Sequence, residues 1–300
     1  MISVIISSAD KQMLADVRVN IAETIGVPFE VLAFDNSTGA KGMCQVYNEG
    51  AAQAKYDILC FMHEDVGMKT NGWGQIVNRL FQENPDVGLV GVAGSSYKPL
   101  SPSGWQGVSG DRTNYLNIIQ GYKFTKIPSE HTYRNPKNEK LTKVVSVDGV
   151  WFCTTKEVLK KARFDEDTFT GFHKYDLDFS MQVRQHYQVV VTYDVLMEHF
   201  SEGRLSKDWI FETAKFNAKW INKLPVCTES FTPKQKFDIE KGTFRAYIAY
   251  LILYNLPASM AYRELFRGLR YLKVYPSLFF KNLLFIGKAY RVAKKEGRIN

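Results

Sequence analysis

Three ionisable side chains follow one apolar stretch of this 300-residue chain directly. The stretch Ile58–Met62 holds four large apolar residues and a cysteine, which predicts a central parallel strand covered on both faces. His63, Glu64 and Asp65 come next, at the strand end where open α/β sheets bind ligands. In extended chain, side chains two apart point the same way, so His63 and Asp65 would face one site and Glu64 would turn from it. The pattern predicts a metal or phosphate site.

Two earlier apolar stretches also end in polar residues. Residues 2–7 lead to Ser7 and Ser8, and residues 29–34 lead to Asp35 and Asn36. The carboxyl ends of parallel strands share one edge of a sheet, so these groups would lie beside His63. This edge suits a nucleotide held through its base and ribose, with its phosphates bridged by a metal. Neither G-x-G-x-x-G nor G-x-x-x-x-G-K follows the first strand, which argues against a Rossmann dinucleotide site and a P-loop.

A second set of candidate groups lies late in the chain. Asp176 and Asp178 begin a predicted helix, and His199 follows the apolar stretch 195–197. Positions two apart on a helix differ by about 200°, so only one of these aspartates can point at a common site. The other would cap the helix or form a pair.

The first 65 residues alternate strand, helix, strand, helix, strand, which predicts right-handed βαβ units and a parallel sheet. Apolar residues at helical spacing over 14–25 and an alanine-rich segment over 43–54 mark the two helices. Further expected elements are helices at 73–81, 156–161 and 209–220, and strands at 87–92, 144–153 and 189–192.

Residues 95–140 show little periodicity, which is typical of a functional loop or insertion. Its aromatic residues could stack on sugar rings or pack a small satellite core, and the sequence leaves both open. They are Tyr97, Trp105, Tyr115, Tyr122 and Tyr133.

Composition and charge indicate a folded protein whose basic character is local. Hydrophobic residues make up 45% and charged residues 23%, and the formal net charge is +8. Residues 261–300 contain ten Lys or Arg against two acids, so the remainder is neutral, which argues against a nucleic-acid-binding surface on the main domain. The four cysteines are widely spaced and suggest no disulfides, and the start of the chain lacks the features of a signal peptide, so we expect a cytoplasmic protein.

The segment 243–300 alternates aromatic and aliphatic residues with Lys and Arg. This pattern predicts an interfacial helical anchor at the inner face of a membrane, with anionic lipid as partner. The alternative is a helical hairpin that packs on the main domain or on a second subunit, which would make the protein a homo-oligomer. Charged residues and prolines interrupt every apolar run, so none reaches the roughly 18 to 20 residues of a membrane span.

These motifs together resemble the family 2 glycosyltransferases of the GT-A fold, in particular the bacterial subgroup whose acidic motif reads His-x-Asp-Val. The resemblance covers about residues 1–205. It rests on ISVIISS, FEVLAFDNS, Asn48, CFMHEDV, VDGVWF, FHKYDLDFSM and His199. It implies an α/β fold of GT-A type, with a Rossmann-like, mostly parallel central sheet flanked by helices, and a basic helical C-terminal extension.

The resemblance also implies roles for single residues. Asp35 would contact the nucleotide base, Asp65 and His199 would bind Mn²⁺ or Mg²⁺, and Asp176 would act as general base. The remaining candidates for donor binding are Ser7, Asn48, His63 and Glu64. This chain departs from the family pattern twice, since His63 replaces the first Asp of D-x-D and Tyr175 replaces the Glu before the base.

Each of these residues has a structural alternative. Asp35 could only start a turn, Asp65 or Asp176 could only cap a helix, and His199 could be a core histidine. His63 could orient the diphosphate or form a hydrogen bond behind the metal ligands, and the sequence does not choose.

The implied function is metal-assisted, inverting transfer of a sugar in polysaccharide biosynthesis. The donor would be a nucleoside diphosphate sugar, most simply a UDP-sugar, and the acceptor a glycan or a lipid-linked molecule. The implied division is a glycosyltransferase domain over 1–225, with a nucleotide-binding half at 1–95 and an acceptor half at 96–225, followed by the extension 226–300. A sugar nucleotidyltransferase is one alternative, although SSADKQML after the first strand lacks the glycine-rich basic loop of that class. A non-catalytic sugar- or nucleotide-binding module is the other, and His63 in place of Asp favours it.

Overall fold

The computed structural model describes residues 1–108, 110–125, 127–203 and 205–299. The chain forms two compact units. The first consists of Met1–Ser96 and Asn114–Arg204, and the second of Tyr97–Thr113 and Leu205–Asn300. The division near residue 205 differs from the predicted boundary at 225, because the helix over 207–220 belongs to the second unit.

The strands of the described chain are short, and most belong to the first unit. They are β1 (Ile2–Ser8), β2 (Phe29–Asp35), β3 (Ile58–Met62), β4 (Val66–Met68), β5 (Val87–Gly91), β6 (Ala93–Ser95), β7 (Tyr97–Lys98), β8 (Asn114–Gln120), β9 (Glu130–Arg134), β10 (Leu141–Lys143), β11 (Ser146–Val147), β12 (Trp151–Thr155), β13 (Gln188–Thr192), β14 (Met197–His199) and β15 (Val226–Cys227).

The helices flank the first unit's sheet and make up most of the second unit. They are α1 (Lys11–Thr24), α2 (Met43–Gln53), α3 (Trp73–Glu83), α4 (Gly110–Thr113), α5 (Lys156–Leu159), α6 (Tyr175–Val183), α7 (Lys207–Trp220), α8 (Pro233–Leu253), α9 (Ala258–Phe266), α10 (Arg270–Val274) and α11 (Pro276–Lys295), with a 3₁₀ turn at Arg267–Leu269.

The central sheet of the first unit has seven strands in the order β10-β13-β5-β12-β3-β1-β2. β1 pairs in parallel with β2 and β3, and β13 pairs in parallel with β5, whereas β12 runs antiparallel between β3 and β5. β10 also runs antiparallel to β13. Five of the seven strands (β1, β2, β3, β5 and β13) therefore run in one direction, as expected, but β10 and β12 run the other way and make the sheet mixed. β3 is buried from Leu59 to Met62, as its apolar composition predicts, and it joins a core that includes Val4, Trp73 and Trp151.

A second, smaller sheet crosses the carboxyl end of the first. Its order is β11-β6-β8-β14-β4, and β9 pairs with β8. The predicted single strand over 144–153 is wrong: Ser146–Val147 pairs with β6 in this sheet, and Trp151–Thr155 pairs with β3 in the central one. The turn at Asp148 separates them, because the Asp148 side chain accepts a hydrogen bond from the Val150 amide at 2.8 Å.

The described part of the segment 95–140 contains more regular structure than the sequence predicts. β8 and β9 form a regular antiparallel pair from Leu116–Arg134 to Gln120–Glu130. The aromatic residues of this segment differ in exposure. Tyr97 and Tyr115 are buried, whereas Tyr133 is exposed and packs against Tyr193 with 5.7 Å between ring centroids. The satellite-core alternative therefore holds for Tyr97 and Tyr115.

The second unit joins two distant stretches of the chain. β7 pairs antiparallel with β15, and the buried Glu240 of α8 accepts hydrogen bonds from Tyr97 Oη at 2.9 Å and from the Leu100 amide at 3.1 Å. Asn217 of α7 donates to the Leu100 carbonyl at 2.6 Å. α8, α9 and α11 pack through buried apolar residues such as Phe244, Leu265 and Ile286. The packed-hairpin alternative for the tail thus describes the inner side of these helices.

Candidate active site

The end of β3 sets the position of the site. The His63 amide donates to the Val150 carbonyl at 3.0 Å, so the chain stays attached to the turn before β12 as it leaves the sheet. β4 then pairs antiparallel with β14, with Val66 opposite His199, and the Phe200 amide donates to the Asp65 carbonyl at 2.9 Å. This pairing brings His199 beside two residues that precede it by more than 130 positions.

His63, Asp65 and His199 form a cluster that can hold a metal ion. One ligand atom from each residue lies within 4.8 Å of the others. His63 Nδ1 lies 3.7 Å from Asp65 Oδ1, and His199 Nε2 lies 3.4 Å from Asp65 Oδ2. The three side chains are between 14% and 20% exposed, so a ligand can still reach them. Two imidazole nitrogens and one carboxylate oxygen fit a divalent ion that accepts nitrogen as well as oxygen ligands, whereas Mg²⁺ prefers oxygen.

The electrostatics of the cluster favour the protonation states that a metal ligand needs. Burial raises the pKa of Asp65, but the hydrogen bond with His199, the charge of His63 and a 2.5 Å hydrogen bond from Ser201 outweigh it, so this pKa lies well below its usual range. Burial lowers the pKa of His63, which favours the neutral imidazole. The two pKa directions favour an ionised carboxylate and a neutral imidazole, the forms that bind a metal ion.

Tyr175 joins this cluster to helix α6. Its buried hydroxyl lies 2.7 Å from His63 Nε2, which leaves Nδ1 on the side of Asp65. Gly149 allows this contact, because a Cβ on Gly149 would come within 2.1 Å of the Tyr175 hydroxyl oxygen. Tyr175, which stands where the family has Glu, therefore contacts His63, which stands where the family has the first Asp of D-x-D.

Asp176 lies in the first turn of α6 and accepts a hydrogen bond from the Gly149 amide at 3.1 Å. Burial and the neighbouring Asp148 raise its pKa to about 7, although Lys174 acts in the opposite direction. Asp178 is fully buried and accepts a hydrogen bond from Gln182 at 2.6 Å. As helix geometry predicts, the two aspartates have different surroundings.

A cavity of about 350 Å³ opens at this edge of the first unit, within the usual range for small-molecule sites. His63, Glu64 and Asp65 line it together with residues from the ends of β1 and β2. The other lining residues are Ser7, Ala9, Met13, Asn36, Gly39, Lys41, Met43, Lys123, Phe124, Thr170, Gly171, Phe172 and Ser201.

Ser7 and Glu64 both line the cavity, and their donor-binding roles stay predictions. Ser7 Oγ accepts a hydrogen bond from Asn36 at 3.4 Å. Glu64 Oε1 accepts hydrogen bonds from the amides of Ala9 and Asp10 at 2.9 and 3.0 Å, and its buried Oε2 has no hydrogen-bond partner among the described atoms. Although Glu64 turns back toward the start of α1, it remains at the wall of the cavity.

Four of the predicted site residues do not line this cavity, namely Asp35, Asn48, Asp176 and His199. Asp35 is exposed, and its Oδ1 accepts hydrogen bonds from the Ser37 amide at 3.0 Å and the Ser37 hydroxyl at 2.7 Å, the arrangement of a turn. Asn48 donates to the Phe164 carbonyl and to Glu166, both at 2.9 Å, so it fixes the segment before α6. The structure gives Asp35 and Asn48 local partners, and their proposed nucleotide contacts stay predictions.

Several residues of the site were not singled out by sequence reasoning. Lys41 and Lys123 bring positive charge to the cavity, and Lys41 also pairs with Glu49 at 2.6 Å. Phe124 and Phe172 place exposed aromatic rings there. Only Phe172 lies within a motif that the sequence marks, FHKYDLDFSM. The segment around Lys123 and Phe124 has no periodicity that could have identified it.

Comparisons with known proteins agree with this fold. Residues 3–223 match the family described as "Glycosyltransferase like family". None of the curated proteins matches the sequence. Among solved structures, S. aureus TarS 1-349 superposes with a TM-score of 0.50 at 11% identity, covering 97% of this chain and 91% of that one.

Two further structures are less similar. TarS 1-349 in complex with UDP-GlcNAc has a TM-score of 0.45 at 12% identity and the same coverage, 97% of this chain and 91% of that one. GalNAc-T7 with UDP, GalNAc and Mn²⁺ has a TM-score of 0.46 at 12% identity, covering 86% of this chain and 58% of that one.

The mixed α/β sheet with its helical extension is that of a GT-A glycosyltransferase, and the protein is an enzyme of this class. The chain belongs to the glycosyltransferase-like family, whose match covers more than half of its length.

Proposed function

We propose that the protein is an inverting glycosyltransferase that moves a sugar from a nucleoside diphosphate sugar to a hydroxyl group of a glycan or lipid-linked acceptor. One observation carries the proposal. The 2.7 Å contact between Tyr175 and His63 joins the His63–Asp65–His199 cluster to the helix that begins with Asp176. Two residues of the metal ligand set, His63 and Asp65, line the cavity. The acid with a raised pKa, Asp176, does not line it but follows Tyr175, which contacts His63.

His63, Asp65 and His199 would hold the divalent ion, Mn²⁺ in preference to Mg²⁺ because two of the three donors are imidazoles. Such an ion supplies Lewis-acid stabilisation of the negative charge on a leaving diphosphate. This site offers one carboxylate where a D-x-D motif offers two. Lys41 and Lys123 would supply further positive charge to the donor phosphates from the cavity wall.

Tyr175 would act as a positioning residue for His63. Metal-binding histidines usually have a hydrogen-bond partner on the ring nitrogen that does not bind the metal, which fixes the tautomer and the ring orientation. Here Nε2 has the Tyr175 hydroxyl as its partner, and Nδ1 is directed toward Asp65. In this proposal His63 would be a metal ligand, which is one of the two roles that the sequence left open.

Asp176 would take the proton from the acceptor hydroxyl. A general base works best when its pKa is close to the working pH, and the pKa of Asp176 is raised to about 7 by burial and by Asp148. The acceptor oxygen would attack the anomeric carbon from the side opposite the departing diphosphate. A single displacement of this kind inverts the anomeric centre.

Phe124 and Phe172 would offer their rings to the sugar. Both line the cavity and both are exposed. Phe172 also lies beside His63, with 5.8 Å between ring centroids, so a sugar packed on it would be close to the cluster. Phe124 and Phe172 therefore join Trp105, Tyr122 and Tyr133 as candidates for the stacking surface, whereas Tyr97 and Tyr115 are buried.

Calorimetric titration of UDP into the full chain, with and without Mn²⁺, tests the proposal. UDP is a suitable probe because TarS has been crystallised with it. We expect UDP to bind more tightly when Mn²⁺ is present. Asp65→Asn should remove this gain, weakening binding by at least the roughly 10- to 100-fold that the loss of a supporting partner of a metal ligand costs.

Asp194→Asn is the matched control, since it makes the same chemical change at an exposed position outside the cavity. It should bind UDP and Mn²⁺ like the unaltered protein. Equal UDP affinity with and without Mn²⁺ in the unaltered protein would overturn the metal-assisted mechanism.

A further inference from the structure

Helix α11 is buried on one side and open on the other. Leu278, Ile286 and Ala293 are completely buried inside the second unit. Phe280, Leu284, Lys288, Arg291 and Lys295 recur at three or four residues and are all exposed. Because this spacing keeps residues on one side of a helix, they form a continuous strip, which we call the α11 outer face.

The α11 outer face combines apolar and basic side chains. Leu284 is 76% exposed and Phe280 is 57% exposed, and the three residues that continue the strip toward the C-terminus are basic. The sequence of α11 contains no acidic residue between Pro276 and Lys295. A helix face with protruding apolar residues and Lys or Arg beside them has the composition of helices that lie in a bilayer interface.

The apolar part of this face continues onto the neighbouring helix α9. Phe266 is 45% exposed, and its ring lies 5.2 Å from that of Phe279, which lies 5.4 Å from that of Phe280. Leu269 in the 3₁₀ turn and Leu272 in α10, both between α9 and α11, are exposed too. Several large apolar side chains therefore protrude from one part of the second unit, whereas an isolated exposed leucine would need no explanation.

The positive charge of this surface indicates which kind of partner it would bind. The ten basic and two acidic residues of 261–300 account for the whole net charge of +8. A second copy of the chain would present the same positive charge, which opposes a close symmetric contact. A nucleic acid would attract the basic residues but offer nothing to Phe280 and Leu284. An anionic bilayer satisfies both, since its headgroups are negative and its acyl chains receive apolar side chains.

We propose that the α11 outer face binds the surface of an anionic membrane, the charge carried by a cytoplasmic leaflet. Phe280 and Leu284 would enter the boundary between headgroups and acyl chains, and Lys288, Arg291 and Lys295 would contact lipid phosphates. Among the described helices, none has the length and apolar character needed to cross a bilayer, so this contact is peripheral. The proposal stands independently of the metal site and of Asp176.

Vesicle co-sedimentation of the full chain tests it, with vesicles of phosphatidylcholine alone and of phosphatidylcholine mixed with phosphatidylglycerol. We expect binding to the anionic vesicles only, weakening steeply as salt is raised. Lys288→Glu with Arg291→Glu should weaken this binding on the order of 30-fold or more, because each basic residue near an anionic surface contributes several-fold. Phe280→Ser with Leu284→Ser should weaken it as well, including at high salt, where the charge contribution is screened.

Arg79→Glu with Lys140→Glu is the control for the charge change, and Val19→Ser is the control for the loss of an exposed apolar side chain. All three positions are exposed and lie in the first unit. These variants should bind vesicles like the unaltered protein. The altered residues of α11 are at the surface, so thermal unfolding should begin at similar temperatures in all variants.

Two results would overturn the proposal. One is equal binding of the unaltered protein and the α11 variants to anionic vesicles, which would place the lipid contact elsewhere. The other is a stable dimer in solution, without lipid, that Phe280→Ser with Leu284→Ser converts to a monomer, which would assign the face to a second copy of the chain.

Discussion

Asp65 and Asp176 lie at the same end of the central sheet, and their surroundings shift their pKa values in opposite directions. Asp65 is set among two imidazoles and the Ser201 hydroxyl, which keep its pKa low despite burial. Asp176 is half-buried, and loss of solvent together with a second carboxylate, Asp148, raises its pKa to about 7. One carboxylate is therefore held ionised to bind a cation, and the other can exchange a proton near neutral pH. The neighbours of each aspartate, rather than the residue type, separate the two roles.

The largest expected effect is a loss of sugar transfer that distinguishes the role of Asp176 from that of Asp65. Asp176→Asn should lower sugar transfer by about 10²- to 10⁴-fold, the usual contribution of general base catalysis, while Mn²⁺-dependent UDP binding is kept. Donor turnover and calorimetry on the same preparation measure both properties. Asp194→Asn serves again as control, and full turnover by Asp176→Asn would remove Asp176 from the base role.

A smaller effect is expected from Tyr175, which connects the metal-ligand cluster to the helix of Asp176. Tyr175→Phe removes the hydroxyl that contacts His63 Nε2 but keeps the buried ring, so the fold should be retained. Loss of such a partner should weaken Mn²⁺ binding by about 10- to 100-fold. Direct Mn²⁺ titration followed by electron paramagnetic resonance measures this change.

Tyr133→Phe makes the same substitution at an exposed tyrosine of β9 and should leave Mn²⁺ affinity unaltered. If Tyr175→Phe bound Mn²⁺ as well as this control, the link between the cluster and α6 would be a packing contact only.

The smallest effect concerns pH. A base must be deprotonated to act, so turnover should rise with pH through the Asp176 pKa of about 7 and level off above it. Asp148→Asn removes a negative neighbour that raises this pKa, so the rising limb of the profile should shift to lower pH. The pH dependence of kcat in the two proteins shows the shift, and identical profiles would mean that another group titrates.

The positions of His63 and Asp65 could be predicted from the sequence. A buried apolar strand, β3, ends directly before them, and its place in a parallel sheet fixes where they lie. The parallel order of β1, β2 and β3 follows from the same alternation. His199 could be connected to them only by resemblance. Its proximity depends on the pairing of β14 with β4, a long-range register that local patterns do not encode.

The contacts around α6 were beyond sequence reasoning for a related reason. Asp148 and Gly149 were read as a kink in one strand, but the turn they form sends β11 and β12 into different sheets and places the Gly149 amide against Asp176. The pKa of Asp176 depends on this packing. Likewise, the strands β8 and β9 are formed by residues with weak alternation, and the partners across the sheet determine their structure.

The second unit is assembled from two stretches of chain, and this limits how the gene can be shortened. A protein ending near residue 204 would keep Tyr97, Lys98 and Leu100, all of them nearly inaccessible to water in the intact chain, but would lack Glu240 and Asn217, which bind this segment. The apolar and polar groups of that segment would then be exposed to solvent, and we expect the shortened protein to aggregate or to be degraded. The C-terminal helices are therefore inseparable from the enzyme, and a homologue without them would need a different sequence at 97–113.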